Sequence, residues 1–203
     1  MKFSPLATTA ALAAALSLSA GNAFAQADEA RAKKIVGGSC FLCHGAQGES
    51  TSEVFPRLAG QHAEYIAKQL TAFQSGQRKS TAMAPMVEKL TPDEMLALGR
   101  YYEKLSVPRE EPKNPQLAAV GRYIFTNGNP YSGVPACASC HGTTAQGAAN
   151  LPRLAGQFSG YLHNQLKSFN KRERTNDNAV MHAVVEKMTE LEMAAVAEYL
   201  SGQ

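Results

Sequence analysis

The 203-residue chain has no tryptophan, only four cysteines, and few aromatics of any kind, with Phe, Trp and Tyr together at 7%. Large aromatic side chains dominate the burial of most small cores, so their scarcity leaves room that another component must fill. Four cysteines are too few for a disulfide-dense mini-protein, and they have to be read by position. Neither sign of charge dominates. A formal charge of +3 over this length gives no electrostatic footprint for nucleic acid. At 44% hydrophobic and 18% charged residues the chain is too apolar for intrinsic disorder. Alternating strand patterns are missing, and beyond the N-terminus no run approaches the roughly 20 apolar residues of a membrane span.

The N-terminus does hold one apolar run. Met1–Lys2 precedes Leu6 through Ala20, and Ala23-Phe24-Ala25 follows. A charged start, an alanine-rich stretch and an A-x-A site form the layout of a secretory signal peptide. No positively charged stop follows the run, which argues for cleavage near Ala25 rather than a membrane anchor. Residues 1–25 are assigned to the signal, leaving an exported chain of 178 residues with charge +2.

An internal repeat organises that chain. Cys40-Phe41-Leu42-Cys43-His44-Gly45 recurs as Cys137-Ala138-Ser139-Cys140-His141-Gly142. Pro56-Arg57-Leu58-Ala59-Gly60-Gln61 recurs unchanged as Pro152-Arg153-Leu154-Ala155-Gly156-Gln157. Tyr65, Gln69, Leu70 and Phe73 match Tyr161, Gln165, Leu166 and Phe169. Near the end of each copy, Met83, Glu88, Lys89, Thr91 and Met95 match Met181, Glu186, Lys187, Thr189 and Met193. Two copies make a tandem domain pair, since a solenoid needs three or more repeats. Three prolines with interleaved charges between Ser106 and Pro115 read as a stiff, exposed connector. The divisions are therefore 26–107 for the first domain, 108–116 for the linker and 117–203 for the second.

The elements read as helical. A short helix precedes each cysteine pair, near Glu29–Val36 and Leu117–Thr126. Ile66, Leu70 and Phe73, and their matches Leu162, Leu166 and Phe169, form an i, i+4, i+7 apolar face. Thr91-Pro92-Asp93-Glu94 and Thr189-Glu190-Leu191-Glu192 are capping boxes opening a final helix in each copy. Those helices would turn Met95, Leu98 and Tyr101–Tyr102, or Met193, Val196 and Tyr199, toward a core. The fold class is all-α, with two small domains and long loops.

C-x-x-C-H is the attachment sequence for c-type haem. Two thiols three positions apart can each form a thioether with one haem vinyl group, and the adjacent histidine can then reach the iron. Zinc would draw on four thiolates or a mixture with histidine. Here the pairs sit in separate repeats, each followed at once by histidine. Structural disulfides would not require those histidines, and a thioredoxin-like pair needs a βαβ context that is missing. Two covalently bound haem c groups, each with its iron, are expected on Cys40, Cys43 and His44, and on Cys137, Cys140 and His141.

Methionine is the usual sixth ligand beside histidine in electron-transferring c cytochromes. A ligand used by both copies must be a matched pair, which removes Met86 and Met188. Met95 and Met193 fall on the apolar helix face, where methionine ordinarily fills space. Met83 and Met181 remain, in loops 39 and 40 residues after the CxxCH histidines. His62, His163 and His182 have no matches and read as surface residues, with His182, beside Met181, the one competitor. A carbonyl at Pro56 or Pro152 could hold the other nitrogen of each ligating histidine. Arg57, Arg153, Arg78 and Arg174 recur, and read equally as haem-propionate partners or as solvated charges.

A helix running into CxxCH, a proline about a dozen residues on, a later methionine and a closing helix together resemble the class I cytochrome c fold. Gly121-Arg122-Tyr123-Ile124-Phe125 is similar to that fold's first-helix contact pattern, whereas Ala30 to Lys34 fit it poorly. The duplicated arrangement resembles the c4-type dihaem cytochromes over essentially all of the chain beyond residue 25. That resemblance implies two His–Met haems, with Met83 and Met181 as the methionine ligands, in a pseudo-symmetric domain pair. It implies a periplasmic carrier of single electrons rather than an enzyme. Its partners would be redox proteins, a respiratory donor and a terminal oxidase, and it is compatible with peripheral docking at a membrane. The alternatives are a dihaem electron-transfer subunit of a periplasmic dehydrogenase, such as a sulfide-oxidising flavoprotein, and a dihaem peroxidase. Two matched methionines argue against the peroxidase, which would need an open distal face.

Overall fold

A computed structural model of the chain describes residues 26–203. The signal-peptide assignment lies outside the described residues. Helix α1 covers 26–35 and runs through a π-helical turn, Val36–Cys40, into α2, Phe41–His44. The first repeat continues with α3 (Ala63–Gln74), α4 (Ala84–Val87) and α5 (Pro92–Glu103). The second contains α6 (Pro115–Asn127), α7 (Ala138–His141), α8 (Ser159–Asn170), α9 (Val180–Val185) and α10 (Glu190–Ser201). Among the described residues there is no strand, only isolated bridges joining Asn129 to Val134 and Ala148 to Leu151. No described helix is long and apolar enough to cross a membrane.

Both capping boxes form as the sequence predicts. Thr91 accepts the Glu94 amide while the Glu94 carboxylate takes the Thr91 amide, and Thr189 and Glu192 repeat the arrangement. Helix α6 begins at Pro115, two residues before its expected start, because Asn114 caps it by accepting the Leu117 amide. Asn-Pro is thus a cap followed by a proline at the first helical position. The approach to the two CxxCH sequences differs. Helix α1 enters directly through the π turn, whereas α6 stops at Gly128 and the chain detours through a loop closed by Asn129 and Val134.

Each repeat packs its closing helix against the helix that leads into CxxCH. In the second, α10 lies on α6 and α8. The α6–α10 crossing is so close that a Cβ on Gly121 would land on the Ala195 carbonyl. In the first repeat, Ala30 to Lys34 pack better than their sequence suggests. Ala32, fully buried, and Val36 join Ala97, Leu98 and Tyr102 of α5. Asp28 and Glu29 add exposed ion pairs to Arg100 and Lys104 at 3.1 and 3.4 Å. A small residue at the contact is what the crossing requires, and Ala32 supplies it without the glycine. Met95 and Met193 are buried core residues, at 1% and 3% exposure.

The two repeats meet through the segments they share without change. Gln61 Nε2 donates to the Arg153 carbonyl at 2.9 Å, and its Oε1 accepts the Arg153 amide at 2.8 Å. Gln157 returns the same pair of bonds to Arg57, at 3.0 and 2.9 Å. Each glutamine thus satisfies both backbone groups of one residue in the opposite repeat. The connector is largely exposed, as its prolines and charges predict, but Val107 is tucked inward. One of its methyl groups fills the hollow over Gly60, and the other lies 2.6 Å from where a Gly156 Cβ would be. Arg57 also donates to the Gly156 carbonyl at 2.7 Å and pairs with Glu110 of the connector.

Two outcomes follow from these contacts. Gly121→Val is expected to destabilise the second repeat by about 2 kcal/mol or more, because a side chain there overpacks the α6–α10 crossing. Urea unfolding monitored by circular dichroism measures it. Gln61→Ala with Gln157→Ala strands four backbone groups, those of Arg57 buried and those of Arg153 half-buried, and each substitution should cost about 1–3 kcal/mol. Calorimetry should then resolve the single transition of the parent chain into two.

Candidate functional site

The two CxxCH segments are built alike. Cys40 closes the π turn before α2, and Cys137 is the N-cap of α7. Both short helices end on a glycine at φ +78°, Gly45 or Gly142, which turns the chain sharply back. The His44 carbonyl then accepts the Ser50 amide at 2.9 Å, and the His141 carbonyl accepts the Gly147 amide at 2.8 Å. Further on, Leu58 and Ala59 donate to the Gly48 carbonyl, while Leu154 and Ala155 donate to that of Ala145. These folded-back loops carry Pro56 and Pro152 to the imidazoles. His44 Nδ1 donates to the Pro56 carbonyl at 2.9 Å, and His141 Nδ1 to the Pro152 carbonyl at 3.3 Å.

Because each carbonyl can only accept, Nδ1 carries the proton and Nε2 is left as a lone pair with no hydrogen-bond partner among the described residues. The rings are 7% and 8% exposed. Burial holds both below the usual histidine pKa, with the proline carbonyls pulling the other way. A neutral imidazole with a fixed Nδ1–H and a free Nε2 is the form that binds a metal. All four cysteines are free, Cys43 and Cys140 exposed, Cys40 and Cys137 partly buried. Burial pushes the Cys40 thiol up and that of Cys137 to about 11. Among the described residues, no three of His, Cys, Asp and Glu gather as a metal-binding group. The cysteine pairs therefore do not combine into the zinc site weighed from sequence.

Met83 and Met181 are both partly buried, but neither lies in open loop. Met83 is the N-cap of α4, its amide held by Ser80 at 3.2 Å. Met181 lies within α9, its amide held by Asp177 at 2.6 Å, and it packs against the second core. Met86 is exposed and Met188 is core. His182 has both ring nitrogens engaged: Nδ1 donates to the Phe169 carbonyl and Nε2 accepts from Arg172, each at 3.0 Å. His163 Nε2 approaches Glu190 at 3.1 Å without hydrogen-bond alignment. His62 is no plain surface residue, since its Nε2 donates across the domain contact to the Gln146 carbonyl at 2.7 Å.

The recurring arginines are not solvated charges. Arg78 stacks on Phe73, donates to Gln69 at 2.8 Å, and reaches across to Tyr161 and Gln165 at 2.9 and 3.0 Å. Arg174 mirrors it, stacking on Phe169 and donating to Gln165 at 2.7 Å, then to Tyr65 and Gln69 at 3.0 and 3.1 Å. Every one of these acceptors is neutral, so two guanidinium charges meet at the domain contact with no carboxylate between them. Arg57 is buried over the Phe158 ring, whereas Arg153 stays with its own repeat at the Ala155 carbonyl and Gln146. The bonding of Gln61, Gln157, Tyr65 and Tyr161 across the contact was not foreseen from sequence. The unchanged hexapeptide and the matched Tyr-x-x-x-Gln are the signals that marked it.

The family described as Cytochrome c matches this chain twice, at residues 29–106 and 118–203. The chain belongs to the cytochrome c family. A cytochrome c4 from Thiocapsa roseopersicina is 40% identical over 186 residues, covering 87% of this chain and 91% of the relative. A thiosulfate dehydrogenase electron acceptor from Thiomonas intermedia is 36% identical over 170 residues, covering 81% and 78%. The crystal structure of reduced cytochrome c4 from Pseudomonas stutzeri superposes with a TM-score of 0.80 at 31% identity, covering 86% of this chain and 97% of that one. Together they make it a dihaem cytochrome of the c4 type, an all-α pair of cytochrome c domains that carries electrons and is not an enzyme. Its cofactor is covalent haem c with iron, and the two CxxCH sequences account for two of them. Free thiol pairs beside imidazoles with a free Nε2 fit that group, and the two arginines without a carboxylate suit its acidic side chains.

Proposed function

We propose that this cytochrome passes single electrons from respiratory donors to a terminal oxidase in the periplasm. The observation that carries it is the pair of CxxCH segments, each with a buried, neutral imidazole, in two repeats locked by reciprocal hydrogen bonds. Cys40 and Cys43 would hold one haem c covalently and Cys137 and Cys140 the other, with His44 and Met83, and His141 and Met181, as axial ligands. When bound, haem c supplies a one-electron ferric/ferrous couple whose potential the axial ligands and burial set. The chain's own contribution is positional. Pro56 and Pro152 orient the imidazoles, and Ser80 and Asp177 hold the backbone of the two methionines. Arg78 and Arg174, without a carboxylate of their own, would complement the propionates where the repeats meet. Methionine at both sixth positions leaves peroxide no site. The same reading assigns 26–107 and 117–203 to the two domains, 108–116 to the linker and 1–25 to a cleaved signal.

The relative named as a thiosulfate dehydrogenase electron acceptor favours a second reading, in which the donor is a periplasmic dehydrogenase and this chain its dihaem acceptor. Reduction of the purified protein by such a dehydrogenase supports that reading. Electron delivery to oxidase-containing membranes supports the first.

Alkaline pyridine spectra should give two c-type haems per chain that survive acid–acetone extraction; one or none overturns the assignment. Met83→Ala and Met181→Ala should each lower one of two potentials by on the order of 100 mV or more, at 59 mV per tenfold change in a one-electron equilibrium. An unchanged pair of potentials removes that methionine from the ligand set.

A further inference from the structure

The hydrogen bonds that orient the imidazoles do not end at the prolines. A peptide group is one resonant unit, so the Pro56 carbonyl and the Arg57 amide share their electrons. That carbonyl accepts from His44 Nδ1 at 2.9 Å, and the amide of the same peptide donates to Gln157 Oε1 at 2.9 Å. The second repeat builds the relay in the other direction. Its Pro152 carbonyl accepts from His141 Nδ1 at 3.3 Å, while the Arg153 amide donates to Gln61 Oε1 at 2.8 Å. Each imidazole is thus one peptide group away from a glutamine of the opposite repeat, and the two relays cross. Within its own repeat each glutamine oxygen accepts the next amide instead, that of His62 or Phe158, at 3.1 Å. Both glutamines are buried, at 8% and 7% exposure, which keeps water from competing for these bonds.

Hydrogen bonds in series polarise one another. An acceptor on the amide moves electron density toward the carbonyl of the same peptide, which strengthens its bond to Nδ1–H and makes Nε2 a more basic ligand. We propose that Gln157 and Gln61 are positioning residues for the axial imidazoles of the opposite repeats, Gln157 for His44 and Gln61 for His141, each lowering the reduction potential of the haem across the contact. This rests on His44 and His141 being the axial ligands. A more basic imidazole favours ferric over ferrous iron, which gives the sense of the shift. The N-terminal site feels its relay more strongly. Its imidazole bond is the shorter of the two, and Arg57 is buried where Arg153 is half-buried.

Potentiometry and proton NMR of the purified dihaem protein test it, once pyridine spectra have counted the haems and stepwise oxidation has assigned each potential to its repeat. Gln157→Met keeps the length of the side chain and removes its polar atoms. It should raise the potential of the N-terminal haem by about threefold in the reduction equilibrium constant, about 28 mV at 59 mV per tenfold. In the diamagnetic ferrous protein it should move the His44 Nδ1–H resonance upfield and leave that of His141 in place. Gln61→Met should act on the C-terminal haem and His141, by a smaller factor. Gln157→Glu returns an acceptor to the Arg57 amide, and a stronger one, so it should move the His44 resonance downfield even if the methionine variant does not fold. Shifts confined to the haem of the substituted repeat overturn the proposal, as do unchanged potentials. Equal shifts in both haems, or a His44 resonance that Gln157→Glu leaves in place, overturn it too, by assigning the glutamines to holding the contact alone. Fewer than two haems in the parent protein, or no axial-imidazole Nδ1–H in its reduced form, instead overturns the ligand reading on which it rests.

Discussion

Two glutamine side chains hold this molecule in its working arrangement. Gln61 and Gln157 each act as a short stretch of backbone, giving one donor and one acceptor to a residue of the opposite repeat, half-buried Arg153 or buried Arg57. An amide side chain is suited to this because it presents both groups in the geometry of a peptide. Their position, one residue after the glycine that Val107 packs against, ties the domain contact to the same loop that delivers the proline carbonyl to the imidazole. Site and interface are therefore one continuous segment. Any shift of one repeat against the other would be felt at the carbonyl that orients its histidine.

The same economy explains the arginines. Stacking on Phe73 and Phe169 holds Arg78 and Arg174 flat, and neutral glutamine and tyrosine acceptors satisfy part of each fork. Two like charges facing each other without a carboxylate would be costly in a finished protein. Their shared neutral acceptors, Gln69 and Gln165, spread that cost over both repeats.

Much of the site was legible before any coordinates, because attachment chemistry demands contiguous residues. Cys-x-x-Cys-His cannot be scattered over the chain, and the duplication allowed each candidate to be checked against its partner. The capping boxes were legible for the same reason, being local hydrogen-bond patterns of four residues. What stayed hidden depends on residues about a hundred positions apart. Nothing in Gln61 or Arg78 taken alone distinguishes a cross-domain bond from a solvated side chain. The packing of α1 is hidden in the sequence because it lacks the glycine and aromatic of the second repeat, and Ala32 and Val36 achieve a similar approach by being small and smooth. Met181 reads as a loop residue in the sequence because α9 is a single short helix with neither a capping side chain nor a long apolar face.

The connector residue Val107 touches the matched glycines of both repeats, one methyl to each. That hollow lies where matched segments of the two halves meet, and the two methyls of one valine already occupy both sides of it. A pair of separate, identical domains would bring either no segment to it or two competing ones. A single covalent chain delivers one, and with it a built-in direction: the first half hands its tail to the hollow and the second receives it. Fusion thus does more than tether the repeats. It supplies an odd number where symmetry alone can offer only an even one.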